Sequence, residues 1–211
     1  MQGLARALAS AAFPAGGIRI RSEPMLRTQG YSRMEAVHPH VAGLAERIAR
    51  RAEDLFEPGM WYRLLQLEHR AGGRLVFETG EVLPCQDLAQ DLKDCTAVLV
   101  FILTMGEPFD KEARAFSSSG KVLDLLLLET AGWLAVEDAT RFLVTRVRSW
   151  AKERGYGLTR RLAPGYGAWP LTGQRTLFSL LQGTALRVQL LESCAMVPSM
   201  SRSGMWGLRP L

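Results

Sequence analysis

The sequence predicts an α+β fold: a single domain with a mostly antiparallel twisted sheet and helices flanking it. Three observations predict it. Strand-like runs and helical periodicities are intermixed without the steady βαβ alternation of a parallel sheet. Two aromatic and aliphatic runs, Trp61 to Leu67 and Arg74 to Glu78, mirror each other across His69-Arg70-Ala71-Gly72-Gly73, the pattern of a β-hairpin. Thr96 to Leu103, TAVLVFIL, is a short continuous apolar run, as expected of a central strand covered on both faces.

In chain order, residues 1–30 read as a poorly ordered extension. The stretch is rich in Arg and Ala and has no acidic residue before Glu23, but Arg6 interrupts any apolar run of signal-peptide length. Residues 31–211 form the domain. Val37, Val41, Leu44, Ile48 and Leu55 fall at helical spacing and predict a helix from Glu35 to Phe56, ended before Glu57-Pro58-Gly59. After the hairpin, Pro84 to Leu92 reads as a short helix with the proline near its first turn. A helix from Pro108 to about Phe116 follows the apolar strand, then Ser117-Ser118-Ser119-Gly120. Lys121 to Arg154 is the longest periodic segment, apolar first and amphipathic later, and Gly155 ends it. Gly157 to Arg161 and Leu186 to Leu191 read as strands, and the tail after Pro198 as an extended, partly paired segment.

Composition bounds the function classes. With 211 residues, 47% of them hydrophobic, the chain can bury a full core. Its net charge of +5 gives a basic surface that suits an acidic protein as readily as a nucleic acid. No basic run interleaved with aromatics occurs, so nucleic-acid binding is not expected. The apolar stretches Ala97 to Met105 and Val122 to Leu128 are too short to cross a bilayer. Cys85, Cys95 and Cys194 form no CxxC pair, which argues against a zinc site or a dithiol redox pair and for reduced, buried thiols in the cytoplasm.

Familiar chemistries are set aside in turn. GYGLTR at 155–160 and GYGAWP at 165–170 lack the third glycine of a dinucleotide loop and sit in no βαβ unit. There is no GxxxxGK[ST], no CxxxCxxC cluster and no GxSxG elbow. In Leu67-Glu68-His69-Arg70-Ala71-Gly72, leucine stands where a cobalamin-ligating Asp-x-His-x-x-Gly motif needs aspartate. His38 and His40 have no carboxylate at ligand spacing. No catalytic residue and no metal ligand is assigned.

What remains is Arg160 to Leu181, RRLAPGYGAWPLTGQRTLFSLL. Prolines fix φ, and glycines open the main chain to another molecule, so the segment is suited to hold a ligand beside the Arg161 cation. A helix with Leu171, Leu177, Phe178, Leu180 and Leu181 on its apolar side follows. Taken singly, Arg161 is an exposed base, Tyr166 and Trp169 are half-buried aromatics, and Met196, Met200 and Met205 are packing residues; taken as a spaced set, they favour a ligand loop.

From about Met34 to Leu208 the chain resembles the activation domain of cobalamin-dependent methionine synthase, in a short stand-alone form. Arg161-Leu162-Ala163-Pro164-Gly165-Tyr166 looks like the family's Arg-x-x-x-Gly-Tyr loop, with Pro170 and Leu177-Phe178-x-Leu180-Leu181 at its spacing. Leu191-Glu192-Ser193-Cys194-Ala195-Met196-x-Pro198, then Ser201-x-Ser203-Gly204, resembles the C-terminal strand and loop. Thr104-Met105-Gly106 resembles the turn of the small members.

The resemblance implies that the chain binds S-adenosylmethionine in a shallow site and is an activation component rather than a complete enzyme. Cobalamin would be carried by a partner, a cobalamin-dependent methyltransferase of methionine synthesis. When that cofactor is oxidised to Co(II), a flavodoxin-like or ferredoxin-like reductant supplies an electron and the bound ligand its methyl group. Arg161 would pair with the ligand carboxylate, the backbone around Ala163 and Gly165 would approach the adenosine, and Tyr166 would pack against it. Glu192 and Ser193 are possible lining of the cleft. The N-terminal part does not supply the acidic residue that the long enzymes contribute to this site. That motivates the alternative, a non-catalytic interaction or regulatory protein of a corrinoid methyltransferase that retains the fold without the ligand.

Overall fold

The computed structural model describes residues 17–69 and 73–211. Among the described residues, helices α1 (Ser22–Thr28) and α2 (Pro39–Leu55) come first, with one 3-10 turn between them at Met34–Ala36. The helix expected from Glu35 therefore starts later. Pro39 has no N–H to donate and occupies the first turn, with the His38 side chain accepting from the His40 N–H at 3.2 Å.

Strands β1 (Gly59–His69) and β2 (Arg74–Phe77) form the expected hairpin; its connection at 70–72 lies outside the described residues. Strand β3 (Val82–Pro84) was not predicted. Pro84 ends it rather than opening a helix, and helix α3 spans Gln86–Asp91. Then come β4 (Ala97–Thr104), α4 (Glu107–Ser118) and α5 (Val122–Lys152), followed by β5 (Tyr156–Leu158). A 3-10 turn at Leu171–Gly173 leads into α6 (Gln174–Leu180). The strand expected over 186–191 shrinks to β6 (Gln189–Leu190), which pairs with β7 (Met196–Val197) in a small hairpin of its own. The tail is β8 (Ser201–Pro210).

Among the described residues, six strands make one sheet in the order β3-β2-β1-β4-β8-β5, every neighbouring pair antiparallel. The α+β class with a mostly antiparallel sheet is what the sequence predicted. Strand β4 is central and wholly buried. Period-2 alternation divides it. Leu99, Phe101 and Leu103 join a core beneath α1, α2, α4 and α5, whereas Val98, Val100 and Ile102 join a second core with Leu65, Trp169 and Leu177. Strand β8, expected to be only partly paired, runs beside β4 from Ser201 to Leu208. Trp206 stacks on Phe101 with ring centroids 4.4 Å apart.

The boundary expected at residue 30 does not stand. Met25 and Leu26 are 0% and 4% exposed, and Ile20 enters the same core. The seven-residue helix Ser22–Thr28 is too short to show a period, and its apolar side is completed only by α2 and α5. Residues 1–16 lie outside the described residues. All three cysteines are buried, and none is in a disulfide. Among the described residues no helix is long and apolar enough to cross a membrane.

Candidate functional site

Beyond β5 the chain reaches β8 once more, through a bridge from Leu162 to Met205, and then leaves the sheet. The departure is a tight bend. The Gly165 N–H donates to the Trp169 carbonyl at 2.8 Å, and the Tyr166 N–H to the Ala163 carbonyl at 3.3 Å. Gly165 and Gly167 take φ of 87° and 60°, which side-chain-bearing residues rarely adopt. Trp169, 2% exposed, plugs the bend from the second core.

This bend forms one wall of a cleft of about 260 Å³. Arg161, Ala163, Pro164 and Tyr166 line that wall. Trp133 and Val136 of α5 face them, and Met196 with Ser199 to Ser203 and Gln174 closes the rest. Arg161, Ala163 and Tyr166 are therefore brought together as the sequence suggested. Gly165 is not part of the lining: it shapes the bend, and the Leu171 side chain lies against it.

Glu192 and Ser193 do not line the cleft. They occupy the turn between β6 and β7, where Cys194 at φ 65° is 3% exposed and the Glu192 carbonyl accepts from Arg175 at 2.9 Å. The motif that carries them reaches the cleft two residues beyond Cys194, through Met196, and again from Ser199 onward. The sequence reading missed Trp133, Val136 and Gln174. The first two were hidden in a helix legible only as core, and Gln174 had no signal beyond its place after Pro170.

Polar contacts fix this wall. The Arg161 guanidinium donates to the Ser203 carbonyl at 3.2 Å and lies 5.4 Å from the Tyr166 ring centroid. It is therefore anchored at the cleft rather than extended into water. The Ser203 hydroxyl donates to the buried Gln174 side chain at 2.8 Å. From α4, the 8% exposed Asp110 carboxylate accepts the Ser199 N–H at 2.9 Å and its hydroxyl at 2.6 Å, pinning the segment before β8. Arg202 donates to Glu137 at 2.6 Å and to the Thr140 hydroxyl at 3.2 Å, tying β8 to α5. This hydrogen bond, helped by the charges of Arg202, Arg161 and Arg141, holds the Glu137 carboxyl below the usual glutamate range against the opposing effect of burial.

A sequence model of the family described as vitamin B12 dependent methionine synthase, activation domain, matches residues 88–210. The chain belongs to this family. The match takes in α5, the bend, α6 and β8, and so every element that lines the cleft. Among solved structures, a crystal structure of the MetH reactivation domain bound to AdoHcy superposes with a TM-score of 0.63 at 20% identity, covering 92% of this chain and 78% of that one. At that identity the likeness establishes a shared fold. Comparison with curated proteins gives no match.

Proposed function

We propose that this chain is a stand-alone activation-type module that binds S-adenosylmethionine in the cleft and supports reductive methylation of a cobalamin-dependent methyltransferase in methionine synthesis. The observation that carries the reading is the anchored Arg161 guanidinium beside the bend whose Ala163, Pro164 and Tyr166 line the same cleft wall, in a chain of this family. Arg161 would take the ligand's carboxylate, because a guanidinium meets a carboxylate with two parallel donors. The Ala163 backbone would face the adenosine, with Gly165 shaping the bend that presents it, and Tyr166, 68% exposed, would cover it. The crystallised MetH domain holds AdoHcy, the demethylated form of this ligand. The cobalamin would be carried by the partner; with an electron from a flavodoxin-like or ferredoxin-like protein it would take the methyl group, and S-adenosylhomocysteine would be left in the cleft. The site of action would be the cytoplasm.

Titration calorimetry of the full chain with S-adenosylmethionine tests the reading. Wild type should bind, and Arg161→Ala should weaken binding about 10- to 100-fold, the equivalent of losing one charge-assisted contact. Absence of heat with wild type, or equal affinity in both, would defeat it.

One observation favours a second reading: among the described residues, no Asp or Glu lines the cleft. A regulatory partner that retains the fold without the ligand would recover a corrinoid methyltransferase in pull-downs equally with and without S-adenosylmethionine.

A further inference from the structure

The charges around the cleft do not match those of the ligand proposed for it, and the mismatch singles out one residue. The lining carries two cations, Arg161 and Arg202, and no carboxylate. Glu137 stands behind Arg202 and is already bound to it at 2.6 Å. S-adenosylmethionine brings one carboxylate, which Arg161 satisfies, and two cations, an ammonium and a sulfonium. Backbone carbonyls and the hydroxyls of Ser199, Ser201 and Ser203 can accept from the ammonium's N–H groups. The sulfonium has no N–H or O–H to donate. Oxygen lone pairs can approach it, but among uncharged side chains the electron-rich face of an aromatic ring offers a cation a broad apolar surface that also attracts it.

Two aromatic residues line the cleft. Tyr166 already has the Arg161 guanidinium 5.4 Å from its ring centroid, and a second cation placed there would be repelled. Trp133 is different. It is 49% exposed, and among the described residues no cation sits over its ring, although Trp61, Trp150, Phe116 and Phe142 each have one. Its position is also fixed from behind. A Cβ added to Gly132 would lie 2.6 Å from Phe109 Cζ and 2.8 Å from Met200 Cγ, so α5 is drawn tightly against the segment before β8.

We infer that Trp133 is the sulfonium-recognising wall of the site, and that it sets the preference for the charged methyl donor over its neutral demethylated product. The inference rests on the ligand reading above and adds to it a selectivity. Tryptophan presents the strongest cation-binding face of the aromatic side chains. Loss of the methyl group turns the sulfonium into a neutral thioether and removes this attraction, which favours exchange of spent ligand for fresh.

The test measures affinities of the full chain for S-adenosylmethionine and S-adenosylhomocysteine, in wild type, Trp133→Leu and Trp133→Phe, with thermal unfolding as the check on folding. Trp133→Leu should weaken binding of the cation about 2- to 30-fold, the range of a cation–aromatic contact, and change binding of the neutral thioether much less. Trp133→Phe should keep most of the preference. An equal loss for both ligands would make Trp133 a packing surface only, and no loss for either would remove it from the site; both outcomes overturn the inference and leave the ligand reading intact. If wild type binds neither ligand, both fall together.

Discussion

Glu137 and Arg202 place opposite charges where the arginine side chain is 14% exposed and the glutamate 35%. Both charges lose hydration there, and their pairing stabilises only while the glutamate is ionised. Because the folded protein holds the Glu137 carboxyl below its ordinary value of 4.5, the contribution is fully present above that pH. It is lost as the pH falls through the lower folded value. Glu137→Gln should therefore cost about 1 kcal/mol near neutrality, after discounting for solvent screening at a carboxylate this exposed. The difference from wild type should vanish as the pH drops below the ordinary glutamate range. Melting temperatures of both proteins across pH 3 to 8 check this; a gap that persists in acid would mean the residue matters for packing rather than charge.

Among the elements, α5 buries the most side chains and also supplies the cleft wall that faces the bend. It spans 31 residues, far more than one cleft wall needs, and its buried side runs from Leu127 to Ala151. How closely it approaches α4 and the segment before β8 depends on Gly132. Alanine there would gain up to ~1 kcal/mol of helix propensity. It would also force its methyl group into Phe109, which is fully buried, and overpacking of that kind costs roughly 1–3 kcal/mol. Gly132→Ala should therefore lower stability despite the better helix former. Gly43→Ala in α2, where the added carbon meets only Arg47 at 3.7 Å, should raise it by up to ~1 kcal/mol. Denaturant midpoints of the two variants should move in opposite directions. The spacing of apolar residues revealed α5 and where Gly155 stops it, but not which side would face the cleft. Trp133 reads in sequence as one more apolar position, yet it is 49% exposed at the cleft beside the start of β8.

Across the whole molecule, the N-terminal region belongs to the core. Ile20, Met25 and Leu26 are buried against α2 and α5. The Ile20 N–H donates to Glu53 at 2.7 Å, and the Gln29 amide to Thr130 at 2.5 Å. A chain begun at residue 31 loses all three apolar side chains, at most roughly 4.5–9 kcal/mol at about 1.5–3 kcal/mol each. That is a large share of the stability of any single domain. Urea unfolding of residues 31–211 should show a markedly lower midpoint than the full chain, and equal midpoints would mean that α1 is dispensable. The hairpin, the apolar central strand and the helices were legible because each has a period of its own. The helix at Ser22–Thr28 was not, since seven residues give too few turns for a pattern and its two buried side chains acquire meaning only from their neighbours.

The amino-acid order alone determined the α+β class, the doubly covered strand β4 and the loop at 161–166 that carries the family likeness. Those are local matters, set by apolar period and by where proline and glycine constrain the backbone. Only the tertiary structure decided that β8 joins β4, bringing Ser199 to Ser203 next to Arg161 and Trp133 over from α5, and turning Glu192 and Ser193 away. Such juxtapositions depend on pairings between residues up to about a hundred positions apart, as from Thr104 to Ser201, and no local pattern encodes which distant partner a strand will choose.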